Sequence, residues 1–205
     1  MPDRLHIGLD FDDTLMPTRE IMVALMNREH GTTVHHNDCT EVFFSARWNH
    51  TRDDFHAFFT RNETEIHTIG PYEAMCETLA EWSRFADFHI VTGRPECWKA
   101  SAAKWLTRHG IPFVDIHCVE GKNGKARAVE PLNLTFFVDD RADFATQVAD
   151  KGIPVLLPDR PYNQGYSHPH VQRVKDWHHI RQLVAERAYL VPSLSLPANQ
   201  SARIS

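Results

Sequence analysis

The amino-acid sequence predicts an α/β protein with a doubly wound (Rossmann-like) parallel sheet of about five strands and a small helical cap. Two observations predict this class. Short apolar runs recur along the chain and are near-continuous rather than alternating, which is typical of strands buried on both faces. Segments with helical periodicity lie between these runs, and strands that alternate with helices form parallel sheets.

The strand candidates are four clear apolar runs and one weaker run. They lie at residues 5–9, 88–91, 135–138 and 154–157, with 114–119 as the weaker fifth run. The helix candidates between them lie at residues 72–84, 95–109 and 141–151. In the first of these, Met75, Leu79 and Trp82 recur at helical spacing, which predicts one buried face.

One long segment breaks this alternation directly after the first strand. Residues 16–70 contain two helix-like stretches, 19–30 and 51–61, and an aromatic-rich middle, but no convincing buried strand. A helical insertion at this point is placed to cover the strand ends and to close a site there. Ser, Pro and Asn dominate the last residues without periodicity, which predicts mobility. The predicted units are a core (1–15 and 71–190), a helical cap (16–70) and a flexible tail (191–205).

Composition and charge restrict the class of protein. The 205 residues, 42% of them hydrophobic and 24% charged, suit one full core with an insertion. The formal net charge of -5 leaves no basic field for a nucleic-acid duplex, so we expect a small anionic substrate. No stretch approaches the roughly 18 apolar residues of a membrane span, and no apolar region follows a basic start. We therefore predict a cytoplasmic protein without a membrane partner.

The cysteines and histidines are not spaced as the ligands of a zinc site. The four cysteines lie far apart and form no Cys-x-x-Cys pair, which predicts free thiols. The neighbouring histidines lack i, i+4 spacing with a third ligand, so we predict surface or core histidines there. These groups are His35 with His36, His168 with His170, and His178 with His179.

Acidic side chains follow two of the predicted strands. Parallel sheets bind ligands beyond the carboxyl ends of their strands, where Asp10 and Asp139 lie. Asp12 is two residues from Asp10, so their carboxylates emerge close together and repel unless a cation lies between them. Oxygen ligands favour Mg²⁺, so we predict a magnesium site at Asp10, Asp12 and Asp139.

Two carboxylates beside a metal ion can hydrolyse a phosphate ester if one acts as the nucleophile and the other as the general acid and base. Asp10 suits the nucleophile, which attacks phosphorus and forms an aspartyl-phosphate that water then cleaves. Asp12 suits the general acid and base, which protonates the leaving oxygen and later takes a proton from water. The hydroxyl of Thr14 is a candidate to orient Asp12 and the turn.

Further groups near the strand ends are suited to hold a phosphate. Thr92, Gly93 and Arg94 follow the second strong strand candidate and open a predicted helix, where a hydroxyl and free amides form a phosphate cradle. The Arg94 side chain would reach a substrate phosphate or pair with a neighbouring carboxylate. Lys125 would add positive charge at the transferred group, and Lys122 is the alternative.

The predicted cap supplies aromatic side chains of two kinds. Phe55, Phe58 and Phe59 fall on one side of a helix, which predicts the cap's own small core. Phe44 and Trp48 lie in the less periodic stretch between the helices. We interpret these two residues as candidates for stacking on a substrate base.

Four short motifs in this order resemble those of the haloacid dehalogenase (HAD) superfamily. A hydrophobic run followed by Asp-x-Asp-x-Thr is matched at residues 7–14, a strand ending in Thr at 90–94, and a strand ending in paired acids at 136–140. The lone lysine of the third motif is matched by Lys125. The cap resembles the helical type inserted after the first strand. The resemblance implies a Mg²⁺-dependent phosphatase with Asp10 as nucleophile, Asp12 as acid and base, Thr92 and Lys125 as phosphate contacts, and Asp10, Asp12, Asp139 and Asp140 around the metal.

A narrower resemblance is to the 5′(3′)-deoxyribonucleotidases and their bacterial relatives. It rests on strings at residues 91–95, 138–141, 161–163 and 174–177. It implies a (deoxy)nucleoside monophosphate as the small phosphorylated substrate. The alternatives are a phosphatase of a sugar phosphate or another non-nucleotide monoester, and a non-catalytic binding module on the same fold. The sequence leaves both a monomer and a homodimer open.

Overall fold

Six parallel strands form one sheet in the computed structural model, which describes residues 4–121 and 123–188. The strand order is β3-β2-β1-β4-β5-β6, so the chain builds outward from β1 in both directions, as in doubly wound folds. The strands are β1 (Leu5–Leu9), β2 (Ala86–Thr92), β3 (Asp115–Cys118), β4 (Phe136–Val138), β5 (Val155–Pro158) and β6 (Val171–Val174). The α/β class with a parallel sheet is confirmed.

The sequence predicted five strands, and the structure adds a sixth, β6. This strand is Val-Gln-Arg-Val and lies at the edge of the sheet, where it pairs with β5 alone. Three of its four residues are half-buried. An edge strand meets water along one side and tolerates polar residues, so β6 lacks the continuous apolar run that revealed the inner strands.

Seven α-helices accompany the sheet in the described residues. They are α1 (Thr18–His30), α2 (Arg52–Ile66), α3 (Met75–Trp82), α4 (Lys99–Arg108), α5 (Gly124–Val129), α6 (Ala142–Ala149) and α7 (Trp177–Ala188). The helix predicted at 95–109 begins as a short 3-10 turn, Glu96–Trp98, and continues as α4. No helix in these described ranges has the length and apolar character to cross a membrane.

Residues 16–70 contain α1, α2 and two 3-10 turns and add no strand to the sheet. Local signals define both helices. Gly31 ends α1 in the left-handed conformation, with φ of 64°. Thr51 and Asp54 form a capping box that starts α2, because the side chain of each accepts from the backbone N–H of the other. We propose that this segment is the cap over the strand ends.

The cap segment packs on the core through aromatic rings. Phe59 of α2 stacks on Trp98 at 3.9 Å between ring centroids, and the Trp98 indole N–H donates to Thr60 Oγ1 at 3.3 Å. Phe58 and Phe59 are buried and Phe55 is half-buried, but they belong to the hydrophobic cluster of the sheet and not to a core of the cap's own. The cap and the sheet therefore share one hydrophobic core.

The centre of the sheet is tightly packed at Gly8 of β1. A Cβ atom built at this position would lie 2.2 Å from Cδ2 of Phe137, which is in the neighbouring strand β4. Only glycine therefore allows the Phe137 ring to lie against β1.

Lys122 and the tail predicted at 191–205 lie outside the described residues.

Candidate active site

The carboxyl ends of three central strands meet at one edge of the sheet. Leu9 of β1 is in register with Ile90 of β2 and Val138 of β4. The residues at or just after these strand ends, Asp10, Thr92 and Asp139, therefore lie close together, and each is 5% exposed or less. The gap between β1 and β4 is where the strand order reverses, which is where such folds bind ligands.

Lys125 connects two of these carboxylates. Its Nζ atom lies 2.5 Å from Asp10 Oδ1 and 2.6 Å from Asp139 Oδ2, and its side chain is fully buried. Burial opposes the lysine charge, but Asp10 and Asp139 outweigh burial and raise the Lys125 pKa. The structure thus brings Lys125 to the strand ends from the start of α5.

Asp10, Asp139 and Asp140 form a buried acidic cluster whose carboxylate oxygens lie within 4.8 Å of one another. Burial raises the Asp10 pKa well above its usual range; Lys125 lowers it in part, and Asp139 and Asp140 raise it further. Burial also raises the Asp139 pKa, to about 6. Three carboxylates against one ammonium group favour an additional cation, and an all-oxygen donor set fits Mg²⁺.

Asp140 is held by side chains from two loops. Thr14 Oγ1 donates to Asp140 Oδ1 at 3.0 Å, and the Tyr162 hydroxyl donates to Asp140 Oδ2 at 2.5 Å. Asn163 Nδ2 donates to the Asp140 carbonyl oxygen at 2.7 Å. The sequence suggested that Thr14 orients Asp12, but in the structure its hydroxyl binds Asp140 instead. Tyr162 and Asn163 were not predicted as site residues, and their only signal was the string at 161–163.

The Asp12 carboxylate lies outside this cluster, in contrast to its predicted place among the metal ligands. Arg94 binds it through two hydrogen bonds, 2.8 Å from Nε to Oδ2 and 2.6 Å from Nη2 to Oδ1. Thr18 Oγ1 donates a third at 2.5 Å. Burial raises the Asp12 pKa, but the charge and hydrogen bonds of Arg94 outweigh burial and lower it. Of the two roles predicted for Arg94, the structure shows the pairing with a carboxylate.

Arg94 also contacts His67, a residue that the sequence analysis missed. Arg94 Nη1 lies 2.9 Å from His67 Nε2, and the His67 Nδ1–H donates to the Glu63 carbonyl oxygen at 2.7 Å. The Nε2 atom is therefore the acceptor, and burial together with Arg94 lowers the His67 pKa. The guanidinium lies over the Phe11 and Phe59 rings, at 4.2 and 5.0 Å. These contacts connect the cap segment to Asp12.

The segment Thr92 to Arg94 differs from the predicted helix N-terminus. Thr92 Oγ1 accepts a hydrogen bond from the Arg94 N–H at 3.2 Å, but Pro95 is extended and α4 begins only at Lys99. The amides here therefore belong to a loop. A Cβ at Gly93 would meet only Phe144, at an ordinary 3.6 Å, so packing alone does not demand glycine there.

The turn after β1 is stabilised around Asp13, which the sequence analysis also left unassigned. Asp13 has φ of 56°, a conformation that Asp tolerates better than most residues. Its carboxylate accepts from the Arg19 N–H at 2.8 Å, and Arg160 donates to its carbonyl oxygen at 3.0 and 2.6 Å. This network holds Asp12 and Thr14 on either side of the turn.

The two aromatic residues proposed for base stacking occupy different surroundings. Trp48 is buried, its indole N–H donates to Thr32 Oγ1 at 2.9 Å, and its ring lies 6.5 Å from that of His30. It is a packing residue of the cap in this structure. Phe44 lies 4.5 Å from the guanidinium of Arg19, whose Nε donates to Asp13 Oδ2 at 3.4 Å, so Phe44 adjoins a group that binds the turn.

Comparisons with known proteins link the chain to nucleotidases. Residues 4–190 match the model of the family described as 5′ nucleotidase, deoxy (pyrimidine), cytosolic type C protein. The "Putative nucleotidase YqfW" of Bacillus subtilis is 28% identical over 179 residues, which cover 84% of this chain and 90% of that protein.

Solved structures show the same fold. A HAD family hydrolase from Deinococcus radiodurans with bound phosphate and sodium has a TM-score of 0.62 at 16% identity, covering 96% of this chain and 99% of its own. The "putative HAD-hydrolase YfnB" of Bacillus subtilis, bound to magnesium, has a TM-score of 0.59 at 12% identity and covers 89% and 99%. Because the family model spans nearly the whole chain, the protein belongs to the cytosolic type C 5′ nucleotidase family of HAD phosphoric monoester hydrolases.

Proposed function

We propose that the protein hydrolyses a (deoxy)nucleoside monophosphate in two steps through an aspartyl-phosphate on Asp10. The observation that carries this proposal is the position of Lys125 between Asp10 and Asp139. A buried ammonium beside the proposed nucleophile provides positive charge where a transferred phosphoryl group gains negative charge. It also helps to keep Asp10 ionised against the effect of burial, as a nucleophile requires.

The metal-binding residues in this proposal are Asp10, Asp139 and Asp140. Their buried oxygens lie within reach of one small cation, and Thr14 and Tyr162 position Asp140 from the outer side. Mg²⁺ bound there would neutralise phosphoryl oxygens during transfer. The magnesium in the YfnB structure supports this choice of ion.

In the first step, an Asp10 oxygen forms a bond to phosphorus while the bond from phosphorus to the ester oxygen breaks. The leaving oxygen takes a proton from Asp12. In the second step, Asp12 takes a proton from water, whose oxygen attacks phosphorus and releases Asp10 and inorganic phosphate. Because Arg94 favours the ionised form of Asp12, the first step requires this ion pair to loosen when substrate binds.

The substrate class is supported by the family and by the nucleotidase names of its relatives. A sugar phosphate or another non-nucleotide monoester is the alternative.

The four cysteines are free, which supports the cytoplasmic location predicted from the sequence.

A phosphate-release screen over nucleoside monophosphates, deoxynucleoside monophosphates and sugar phosphates, with Mg²⁺ or with EDTA, tests this function. We expect Mg²⁺-dependent release, with nucleotides preferred. Asp10→Asn should lower kcat by at least about 10³-fold without unfolding the protein. Asp143→Asn is the matched control, because Asp143 is an exposed acid that pairs with Arg141. No Mg²⁺-dependent release from any monoester, or equal activity of Asp10→Asn and wild type, would overturn the proposal.

A further inference from the structure

A second group of metal-binding side chains lies in the cap segment. Glu29 and His30 end α1, and His50 immediately precedes Thr51, the N-cap of α2. One ligand atom from each of the three residues lies within 4.8 Å of the others. None of the sequence motifs described above includes these three residues, and the proposed hydrolysis does not involve them.

The two imidazoles face each other through their Nε2 atoms, which share a hydrogen bond. His30 Nε2 lies 3.2 Å from His50 Nε2. Zinc binds histidine nitrogen at about 2.0–2.1 Å, and at a tetrahedral angle this places two such nitrogens about 3.3–3.4 Å apart. The observed separation of the two Nε2 atoms is close to that value, so one ion in place of the shared proton could bind both.

Neighbouring side chains hold these groups in place. The His30 ring lies 6.5 Å from the Trp48 ring, and the His50 ring lies 5.9 Å from that of Phe58. Arg61 Nη2 donates to both oxygens of Glu29 at 2.9 Å. An outer partner of this kind orients a metal-binding carboxylate and leaves it lone pairs for the ion.

We propose that Glu29, His30 and His50 bind one Zn²⁺ or a similar nitrogen-preferring divalent ion, with water in the fourth position. Two imidazoles and one carboxylate suit zinc, whereas magnesium prefers oxygen ligands alone. The ion joins the end of α1 to the start of α2 across the 20 positions that separate the two histidines. The ligands are brought together only in the folded chain, so the ion binds the folded state and stabilises the cap by mass action.

Zinc titration of tag-free, chelator-stripped protein tests this proposal. Millimolar Mg²⁺ is present to occupy the acidic cluster, and a chromophoric chelator competes for Zn²⁺. We expect one Zn²⁺ per chain and a higher melting temperature with Zn²⁺ than without it. His30→Ala and His50→Ala should each weaken zinc affinity by at least about tenfold and remove the rise in melting temperature.

Two controls separate this site from other zinc binding. His35→Ala/His36→Ala removes two histidines of the same segment whose rings stack at 4.4 Å, and it should keep wild-type zinc affinity. Asp139→Asn alters the acidic cluster and should also keep it. Glu29→Gln provides a conservative variant should His30→Ala fail to fold, and we expect it to weaken zinc affinity. No stoichiometric zinc binding by wild type, unchanged affinity in the folded site variants, or loss of binding in Asp139→Asn would overturn the proposal.

Discussion

Arg94 holds Asp12 through two hydrogen bonds and thereby favours the ionised form of the proposed general acid. The side chain of Arg94 is 2% exposed and that of Asp12 is 33% exposed, so water screens this pair in part, from the Asp12 side. The contact joins the loop after β2 to the turn after β1. Through His67 it also reaches the cap segment.

Arg94→Gln removes the charge that lowers the Asp12 pKa, so we expect that pKa to rise. Protonated Asp12 would then persist to higher pH, and the alkaline limb of the pH profile of kcat/KM should move to higher pH. Steady-state kinetics across the pH range measures this shift. Arg108→Gln is the control, because Arg108 donates to the His67 carbonyl oxygen at 3.1 Å and does not contact Asp12 in the structure. An unmoved limb in Arg94→Gln would contradict the role of Asp12.

Lys125→Met leaves Asp10 and Asp139 buried without their shared cation. Removing one partner of a buried ion pair lowers the free energy of unfolding by about 3–5 kcal/mol, and we expect a loss of this size in EDTA. Urea unfolding at neutral pH measures it. Lys151→Met, which removes an exposed pair with Glu130, should change stability by less than about 1 kcal/mol. Equal effects of the two variants would show that the Lys125 pairs do not contribute to stability.

Tyr162→Phe removes the hydroxyl that donates to Asp140 and leaves the ring in place. Outer partners of metal-binding carboxylates affect metal affinity by about 10- to 100-fold, so the Mg²⁺ concentration for half-maximal phosphate release should rise about tenfold. Tyr166→Phe is the matched control, because its hydroxyl bonds Thr146. If Tyr162→Phe and wild type need the same Mg²⁺ concentration, Asp140 is not a metal-binding residue of the kind proposed.

His67 makes stability depend on pH. Its folded pKa is lower than that of the unfolded chain, about 6.5, because of burial and Arg94. The unfolded state therefore binds more protons as pH falls below about 6.5, and the free energy of unfolding falls with it. His67→Gln keeps an acceptor for Arg94 without titrating. Urea unfolding at pH 7.5 and pH 5.5 should show a smaller loss in this variant than in wild type, and an equal loss would refute the contribution of His67.

Trp48→Phe separates packing from base stacking. The change removes the hydrogen bond to Thr32 and part of a buried ring, so we expect the free energy of unfolding to fall by about 1–3 kcal/mol. KM for the nucleotide should stay within about twofold of wild type. Thr32→Val removes the acceptor of this hydrogen bond, and the unpaired Trp48 N–H should lower the free energy of unfolding. A large rise in KM at unchanged stability would instead support the stacking role inferred from the sequence.

Much of the fold could be predicted because the signal is local. A strand buried on both faces shows a continuous apolar run, so β1 to β5 were visible in the sequence, whereas β6 at the sheet edge was not. The same reasoning placed Asp10, Thr92 and Asp139 at strand ends that a parallel sheet brings together. Lys125 came from its motif, and its contacts with Asp10 and Asp139 appeared only in the structure.

The chemical groups at the strand ends follow from the amino-acid sequence alone, because patterns of neighbouring residues set where each strand begins and ends. Which group each of them contacts is visible only in the folded chain. Thr14 bonds Asp140, 126 positions away, and Asp12 bonds Arg94, 82 positions away. Such pairings depend on the turn at Asp13 and on how separate loops pack. Contacts between residues so far apart in the sequence produce no periodic pattern of residue types that a reader of the sequence could detect.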